Sequence, residues 1–139
     1  MSYQMFLVPI LAGLIAQIIK LSTDGIKGNF KWKNFISDYG KMPSSHTAFV
    51  VALAAEMALF QGFKSSEFAI SLILALVVIR DATGLRRNMA RQNKLLNKIC
   101  SKIGLKEEQL EETLGHTPLE IFFGCLLGIS LALIFYFIF

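Results

Sequence analysis

The stretch Gly40-Lys41-Met42-Pro43-Ser44-Ser45-His46-Thr47 marks the point where a polar loop ends and an apolar helix begins. Pro43 cannot continue a preceding helix, and Ser44 or Ser45 can cap the exposed N–H groups of the next one. The dipole of that helix adds partial positive charge, so an oxyanion bound there would meet backbone donors, two hydroxyl groups and the His46 imidazole. The pattern predicts a phosphate site. The alternative is an ordinary capped helix whose histidine is incidental.

Long apolar runs surround this stretch and indicate a membrane protein. Of the 139 residues, 54% are hydrophobic and 12% aromatic, and the mean hydropathy of +0.54 is high for a soluble domain. The runs are residues 6–19, 47–60, 68–79 and 119–139. Because a membrane helix needs about 20 residues, the short third run must include flanking residues, or it is a buried or re-entrant helix. We predict an all-α integral membrane protein of one domain, residues 1–139, with about four transmembrane helices plus interfacial amphipathic helices.

The positive charges are segregated along the chain, whose net charge is +4. Two loops carry nearly all of them: Lys27, Lys31, Lys33 and Lys41 between the first two runs, and Arg80, Arg86, Arg87, Arg91, Lys94, Lys98, Lys102 and Lys106 between the last two. Only Lys64 lies between the second and third runs. With four spans both basic loops share one side, which the positive-inside rule makes cytoplasmic, with both termini outside. The basicity therefore does not indicate a nucleic-acid partner.

Three segments between the runs have their own patterns. Residues 30–36 interleave aromatic and basic side chains, which is typical of a segment in the headgroup layer, with Trp32 and Tyr39 as anchors. Residues 89–103 place apolar residues at helical spacing beside a basic stripe and predict an interfacial helix that binds anionic headgroups without specificity. Residues 106–114 suggest a short acidic helix without a His or Asp partner at metal-ligand spacing, so we predict no metal site and no cofactor.

A second histidine occurs in Gly115-His116-Thr117-Pro118-Leu119-Glu120, directly before the last apolar run. Thr117 is a plausible cap, and Pro118 suits the first position of a helix. His116 and Glu120 are four residues apart, so their side chains can meet across one turn. A carboxylate in that position can fix the tautomer of an imidazole and stabilise the imidazolium. The alternative is a purely structural hydrogen bond.

Four successive helices should carry polar residues at their cytoplasmic ends. These residues are Lys20, His46, Arg80 and His116. Lys20 either snorkels to the headgroups or binds phosphate. Arg80, Arg86 and Arg87 either flank a membrane helix or offer planar, bidentate donors to a lipid phosphate. Two imidazoles with opposed roles among such donors would suffice for phosphoester hydrolysis without a metal ion.

At these residues the chain resembles a shortened, divergent member of the type 2 phosphatidic acid phosphatase superfamily, the acid phosphatase and vanadium-dependent haloperoxidase-related group. Pro43-Ser44-Ser45-His46 is similar to the family motif Pro-Ser-Gly-His, with serine for glycine, and His116 through Glu120 is similar to His-x-x-x-Asp, with glutamate for aspartate. Lys20 is the best match for the lysine of the first motif, although no Arg-Pro follows it. Leu110 stands where the family has an arginine, and Arg80, Arg86 or Arg87 could substitute.

The resemblance implies roles for these residues. His116 would be the nucleophile that forms a phosphohistidine, Glu120 would orient it, and His46 would protonate the leaving group. Phosphate would be bound by Lys20, Ser44, Ser45 and the arginines Arg80, Arg86 and Arg87. Lipid phosphatases of the superfamily have six membrane helices and many face outward, whereas this chain is predicted to have four and an inward-facing site.

The expected function is a membrane lipid phosphatase that removes a terminal phosphate, as monoester or diphosphate, from a phospholipid or isoprenoid lipid. Phosphatidylglycerophosphate is the first candidate substrate. The alternatives are a lipid-phosphate-binding scaffold or a transporter subunit on the same fold. Glu56 lies about 15 Å into the second helix from His46, which favours a structural role for that carboxyl. Small residues along this helix, such as Ala52, would allow close packing with a neighbour, so we expect a homodimer.

Overall fold

A computed structural model describes residues 3–26, 42–105, 109–112 and 114–138. Within these ranges the regular secondary structure is helical, as predicted. The five helices are α1 (Gln4–Ile26), α2 (Ser45–Gln61), α3 (Ser66–Thr83), α4 (Leu85–Ile103) and α5 (Pro118–Ile138). The predicted interfacial segment 30–36 and its anchors Trp32 and Tyr39 lie outside the described residues, as do Lys27, Lys31, Lys33, Lys41 and Lys106.

Helices α1, α2, α3 and α5 form a bundle in which successive spans run in opposite directions, and contacts at both ends fix these directions. At one end the backbone N–H of Ser44 donates to the carbonyl of Glu120 over 3.1 Å, and that of His116 donates to the carbonyl of Ala82 over 3.1 Å. This end, called the polar end below, therefore contains the starts of α2 and α5 and the end of α3.

The opposite end of the bundle is held by side chains. The ring of Phe60 in α2 packs edge-on against Tyr136 in α5, with centroids 5.2 Å apart. Gln61 Nε2 lies 3.8 Å from the sulfur of Met5 near the start of α1. Since α1 begins here, its later turns approach the polar end, which is the arrangement that the sequence predicted for successive spans.

Three stretches of the described chain contain helices that are long and apolar enough to cross a membrane: Gln4–Thr23, Ser66–Ile103, which includes α3, and Pro118–Ile138. Helix α2, with 17 residues, is the shortest of the four apolar helices. The sequence pattern had instead predicted that the third apolar run, now in α3, would be the short one. At 1.5 Å per residue α2 spans about 25 Å of a hydrocarbon core about 30 Å thick. Its length is limited by the Ser44 cap at its start and by Gly62, whose φ of 87° ends the helix.

Small residues at every fourth position let the helices of the bundle approach closely. The buried stripes are Val8, Ala12 and Ala16 in α1, Ala48 and Ala52 in α2, and Gly124, Gly128 and Ala132 in α5. A Cβ atom added to Gly128 would lie 2.6 Å from the carbonyl oxygen of Ala48 and 2.9 Å from the nitrogen of Ala52. Such contacts between backbones are the usual source of helix association in membranes. Ala52, which we expected at a dimer interface, therefore packs inside the chain.

Two predictions about helices were wrong, one about where α1 ends and one about an acidic helix. Helix α1 does not end at Lys20 but continues to Ile26, because the hydroxyl groups of Ser22 and Thr23 donate back to carbonyls within the helix and do not interrupt it. The acidic helix predicted over residues 106–114 is not present in the described residues 109–112 and 114. There the N–H and C=O groups of Leu110 bond to the Asn97 side chain, so they are not available for helical hydrogen bonds.

Candidate active site

His116 lies in the loop directly before α5, buried at the polar end. Its side chain is 3% exposed, and Nδ1 lies 3.1 Å from Oε2 of Glu120. The backbone N–H of His116 is held by the carbonyl of Ala82 at the end of α3. The preceding residue, Gly115, has a φ of 89°, a conformation that glycine adopts without strain. The contact that the spacing of four predicted between His116 and Glu120 is therefore present.

Glu120 also caps α5. Its Oε2 accepts a 3.0 Å hydrogen bond from the Thr117 N–H, and its own N–H donates to Thr117 Oγ1 over 3.3 Å. This reciprocal pair is a capping box, and Pro118 takes the first helical position as predicted. The Thr-x-x-Glu spacing is visible in the sequence, where we had interpreted Glu120 only as a partner of His116. One carboxylate thus serves both the helix start and the imidazole.

The Glu120 contact indicates which nitrogen of His116 carries the proton. An ionised carboxylate only accepts hydrogen bonds, so Nδ1 must carry the proton that Glu120 binds. In a neutral imidazole the lone pair is then on Nε2. This is the state in which an imidazole acts as a nucleophile, with a carboxylate ready to stabilise the positive charge that develops.

Ser44 joins the start of α2 to the start of α5. It is fully buried, and its Oγ accepts hydrogen bonds from the Thr47 hydroxyl at 2.9 Å and the Thr47 N–H at 3.4 Å. Ser44 is therefore the N-cap of α2, and its own N–H is engaged by the Glu120 carbonyl. Ser45 follows as the first helical residue and is half-buried. Because two helix N-termini meet here, their partial positive charges favour an anion at the polar end.

Lys20 continues the buried stripe of α1. It lies four residues beyond Ala16, and only 3% of it is exposed. A lysine that snorkels keeps its ammonium group at the membrane surface, so this burial contradicts the snorkelling alternative. A buried ammonium group is stable only among polar or anionic partners, so the burial of Lys20 agrees with the anion-binding alternative.

His46 lies on a different side of α2. Its side chain is exposed and lines a groove between α1 and α2 together with Gln17 and Phe49. The next residue, Thr47, faces α5, where it contacts the position of Gly124. The two histidines thus share the polar end but differ in surroundings, since His116 is buried beside α5 and His46 lies open beside α1.

The three candidate arginines also lie in different surroundings. Arg80 is exposed and lines a groove between α3 and α4. Arg86 donates from Nε to Asp81 Oδ2 over 2.8 Å. Arg87 lies against the residue before His116, because a Cβ atom added to Gly115 would come within 2.8 Å of Arg87 Cγ. Arg87 is therefore the arginine whose stem packs beside the His116 loop, a distinction that the sequence had left open.

The described residues contain no group of three or more His, Cys, Asp or Glu side chains placed to hold a metal ion. Cys100 and Cys125 are free thiols.

The helices and the histidine-bearing helix starts define an all-α integral membrane protein with a candidate anion site at one end of its bundle. The chain belongs to the Divergent PAP2 family, which it matches over residues 1–131. It is 39% identical to the uncharacterized membrane protein YuiD of Bacillus subtilis (strain 168), with 87% of this chain and 86% of that protein covered. No solved structure matches the chain. The family confirms the predicted relationship to the phosphatidic acid phosphatase superfamily.

Proposed function

We propose that this protein is a lipid phosphatase that hydrolyses the terminal phosphate, as monoester or diphosphate, of a membrane lipid. The observation that carries the proposal is the buried His116–Glu120 pair beside the joined N-termini of α2 and α5. That arrangement combines a nucleophile with a lone pair on Nε2, a carboxylate to stabilise the imidazolium, and a field that attracts phosphate.

The reaction would proceed in two displacements at phosphorus. Nε2 of His116 attacks, a P–N bond forms, and the P–O bond to the lipid breaks while the departing oxygen takes a proton from a general acid. Water then attacks the phosphohistidine and gives a proton to the general acid, which the first step left deprotonated; the P–N bond breaks, its electron pair returns to Nε2, and inorganic phosphate leaves. Glu120 stabilises the imidazolium throughout. No step requires a metal ion, because the imidazole is already a nucleophile near neutral pH.

Cationic and polar groups at the polar end would hold the phosphoryl oxygens. Lys20 is buried there, Ser44 and Ser45 form the start of α2, and Arg87 lies beside the His116 loop. Positive groups that contact the developing charge stabilise the transition state more than the bound substrate. Among the arginines we favour Arg87 over Arg80 and Arg86, because Arg86 is paired with Asp81 and Arg80 faces the α3–α4 groove.

His46 is proposed as the general acid, and its position sets a condition on this role. Because the leaving oxygen is bonded directly to the phosphorus, the exposed His46 side chain would have to reach over the first turn of α2, from the α1 side, to come within hydrogen-bond distance of a phosphate placed at His116. The exposure of His46 suits exchange of protons with water. The family resemblance supports this role for His46.

The substrate would be a lipid phosphate made on the cytoplasmic side, because α1 and α3 end at the polar end and the segments that follow them in the sequence are the basic ones, which the positive-inside rule assigns to the cytoplasm. Phosphatidylglycerophosphate is our first candidate, followed by phosphatidic acid and polyprenyl diphosphates.

The alternative function is non-catalytic binding of lipid phosphate by a scaffold or transporter on the same fold. One observation supports it: the capping box gives Glu120 a structural reason to be present whether or not His116 reacts. The anion-attracting helix starts would serve either function. A measurement of phosphate release therefore distinguishes the phosphatase from the scaffold or transporter.

The test is phosphate release from a panel of the named lipids by the purified protein in lipid nanodiscs. With a lipid labelled at the terminal phosphate by ³²P, the native protein should release inorganic phosphate and, on rapid acid-free quenching, carry acid-labile, base-stable label. His116→Ala should lose both, because Nε2 is the proposed site of attachment. Glu56→Gln, a change in the same bundle away from the polar end, is the matched control and should retain both.

Two outcomes would reject the proposed mechanism. Full hydrolysis by folded His116→Ala protein would exclude His116 as nucleophile, and reversible loss of activity on EDTA treatment would exclude a metal-independent reaction. Binding of the labelled lipid without release of phosphate from any lipid in the panel would favour the scaffold.

A further inference from the structure

Two asparagines of α4 form hydrogen bonds with the segment that leads to His116. Asn97 Nδ2 donates to the carbonyl of Leu110 over 2.8 Å, and its Oδ1 accepts from the Leu110 N–H over 2.9 Å. The same Nδ2 also lies 2.9 Å from Oε1 of Glu112. One turn earlier, Asn93 Nδ2 donates to the carbonyl of Glu111 over 2.7 Å. These four hydrogen bonds reach three consecutive residues that otherwise have no regular structure.

The asparagines occupy a face of α4 that differs from its apolar and basic faces. Asn93 and Asn97 are one turn apart, and the buried Ala90 precedes Asn93 by three residues, so the three lie in one row. Apolar side chains of α4 remain exposed elsewhere on the helix, at Leu85, Met89, Leu95, Leu96, Ile99 and Ile103. The charged side chains Arg91, Lys94, Lys98 and Lys102 are also exposed. The asparagine row is thus the face of α4 that contacts the rest of the chain.

A second attachment lies at the other end of the same segment. Gly115 packs against the backbone nitrogen and Cγ of Arg87, at the start of α4, and the N–H of His116 bonds to the carbonyl of Ala82. Thr113, between the two attachments, lies outside the described residues. Residues 110–112 and 115–116 are therefore both fixed to the α3–α4 unit, which leaves little freedom for the position of the His116 backbone.

We propose that Asn93 and Asn97 are positioning residues for His116. By holding residues 110–112 along α4, they place the imidazole where Glu120 can bind Nδ1 and leave Nε2 toward the polar end. The hydrogen bonds do not depend on catalysis, whereas the kinetic consequence rests on the proposed phosphatase function. Asparagine suits the task because its amide matches the donor and acceptor of one backbone residue at once.

The test uses the fact that the chain has only two histidines. Protein labelled with ¹⁵N-histidine in nanodiscs gives two sets of imidazole signals, assigned by His46→Ala. In the native protein the His116 signals should show a single tautomer with the proton on Nδ1. In the Asn93→Ala/Asn97→Ala double variant they should move toward the average of two tautomers, while the His46 signals stay in place.

Matched variants separate positioning from a general effect on α4. Asn88→Ala removes an asparagine of the same helix that lines the α3–α4 groove and should leave both histidines unchanged. Glu112→Gln keeps an oxygen acceptor for Asn97 and should also be silent. The single Asn97→Ala variant, which leaves the Asn93 bond to Glu111, supplies a milder change if the double variant does not fold. Unchanged His116 signals in folded variants that lack the Asn97 bonds, or equal changes at both histidines, would overturn the proposal.

Kinetics provide the readout that links the asparagines to chemistry. Loss of orientation should lower kcat by about tenfold while KM changes less than about twofold, because a misplaced nucleophile affects the transition state more than substrate binding. An equal fall in kcat for Asn88→Ala would reject a specific role. If the native protein releases no phosphate from any lipid, the proposed function fails, and the imidazole signals still decide whether the asparagines position His116.

Discussion

Replacing Gly128 with alanine should loosen the contact between α2 and α5. The added Cβ would lie 2.6 Å from the carbonyl oxygen of Ala48 and 2.9 Å from the nitrogen of Ala52. Both atoms belong to the backbone, so the helices must separate by several tenths of an ångström. Overpacking of this kind costs about 1–3 kcal/mol, and the better helix propensity of alanine offsets up to about 1 kcal/mol. We expect a net destabilisation of about 1–2 kcal/mol.

Gly13→Ala is the matched control for this change. A Cβ atom there would lie 3.6 Å from Phe49 Cβ, an ordinary contact, so this variant should be neutral or gain up to about 1 kcal/mol from helix propensity. Reversible unfolding in mixed micelles, followed by far-UV circular dichroism, measures the difference between the two variants. If Gly128→Ala protein is as stable as Gly13→Ala protein, α2 and α5 do not pack backbone to backbone, and our account of the bundle fails.

Four further predictions address the site and the membrane topology. His46→Ala should lower turnover of a lipid substrate by about 10²–10⁴-fold but much less for an aryl phosphate, whose leaving group needs no proton; equal losses would remove His46 as general acid. Glu120→Ala should destabilise the protein by about 1 kcal/mol through loss of the capping box, whereas Glu120→Gln keeps an oxygen acceptor and should lose less, as thermal unfolding will show. In intact cells, after removal of the native thiols, a cysteine at Lys98 should be protected from an impermeant maleimide and one at Lys64 should react; the reverse pattern would place the polar end outside. Light scattering in nanodiscs should show a homodimer, and a fully active monomer would refute it.

Several features of the fold and site were predictable because they depend on residues close together in the chain. The Pro43-Ser44-Ser45 helix start, the Pro118 helix start and the contact between His116 and Glu120 each involve neighbours within about one helical turn. Apolar runs and turn residues likewise predicted successive antiparallel spans, which bring the chemistry-bearing residues to one end. A prediction from neighbouring residues failed where a contact distant in sequence competed with it. The acidic helix predicted over residues 106–114 is an example, because the Leu110 backbone bonds to the Asn97 side chain.

The rotation of each helix about its own axis was decided only by tertiary packing. Sequence patterns brought Lys20, His46 and His116 to one end of the bundle but did not determine which of them would be buried. The close fit of Gly124 and Gly128 against α2 turns Ser44 and Thr47 toward α5 and leaves His46 beside α1. These membrane helices are apolar on nearly all sides, so hydrophobic periodicity does not fix a rotation. The rotation is fixed by contacts with small residues of a neighbouring helix, which are distant in sequence.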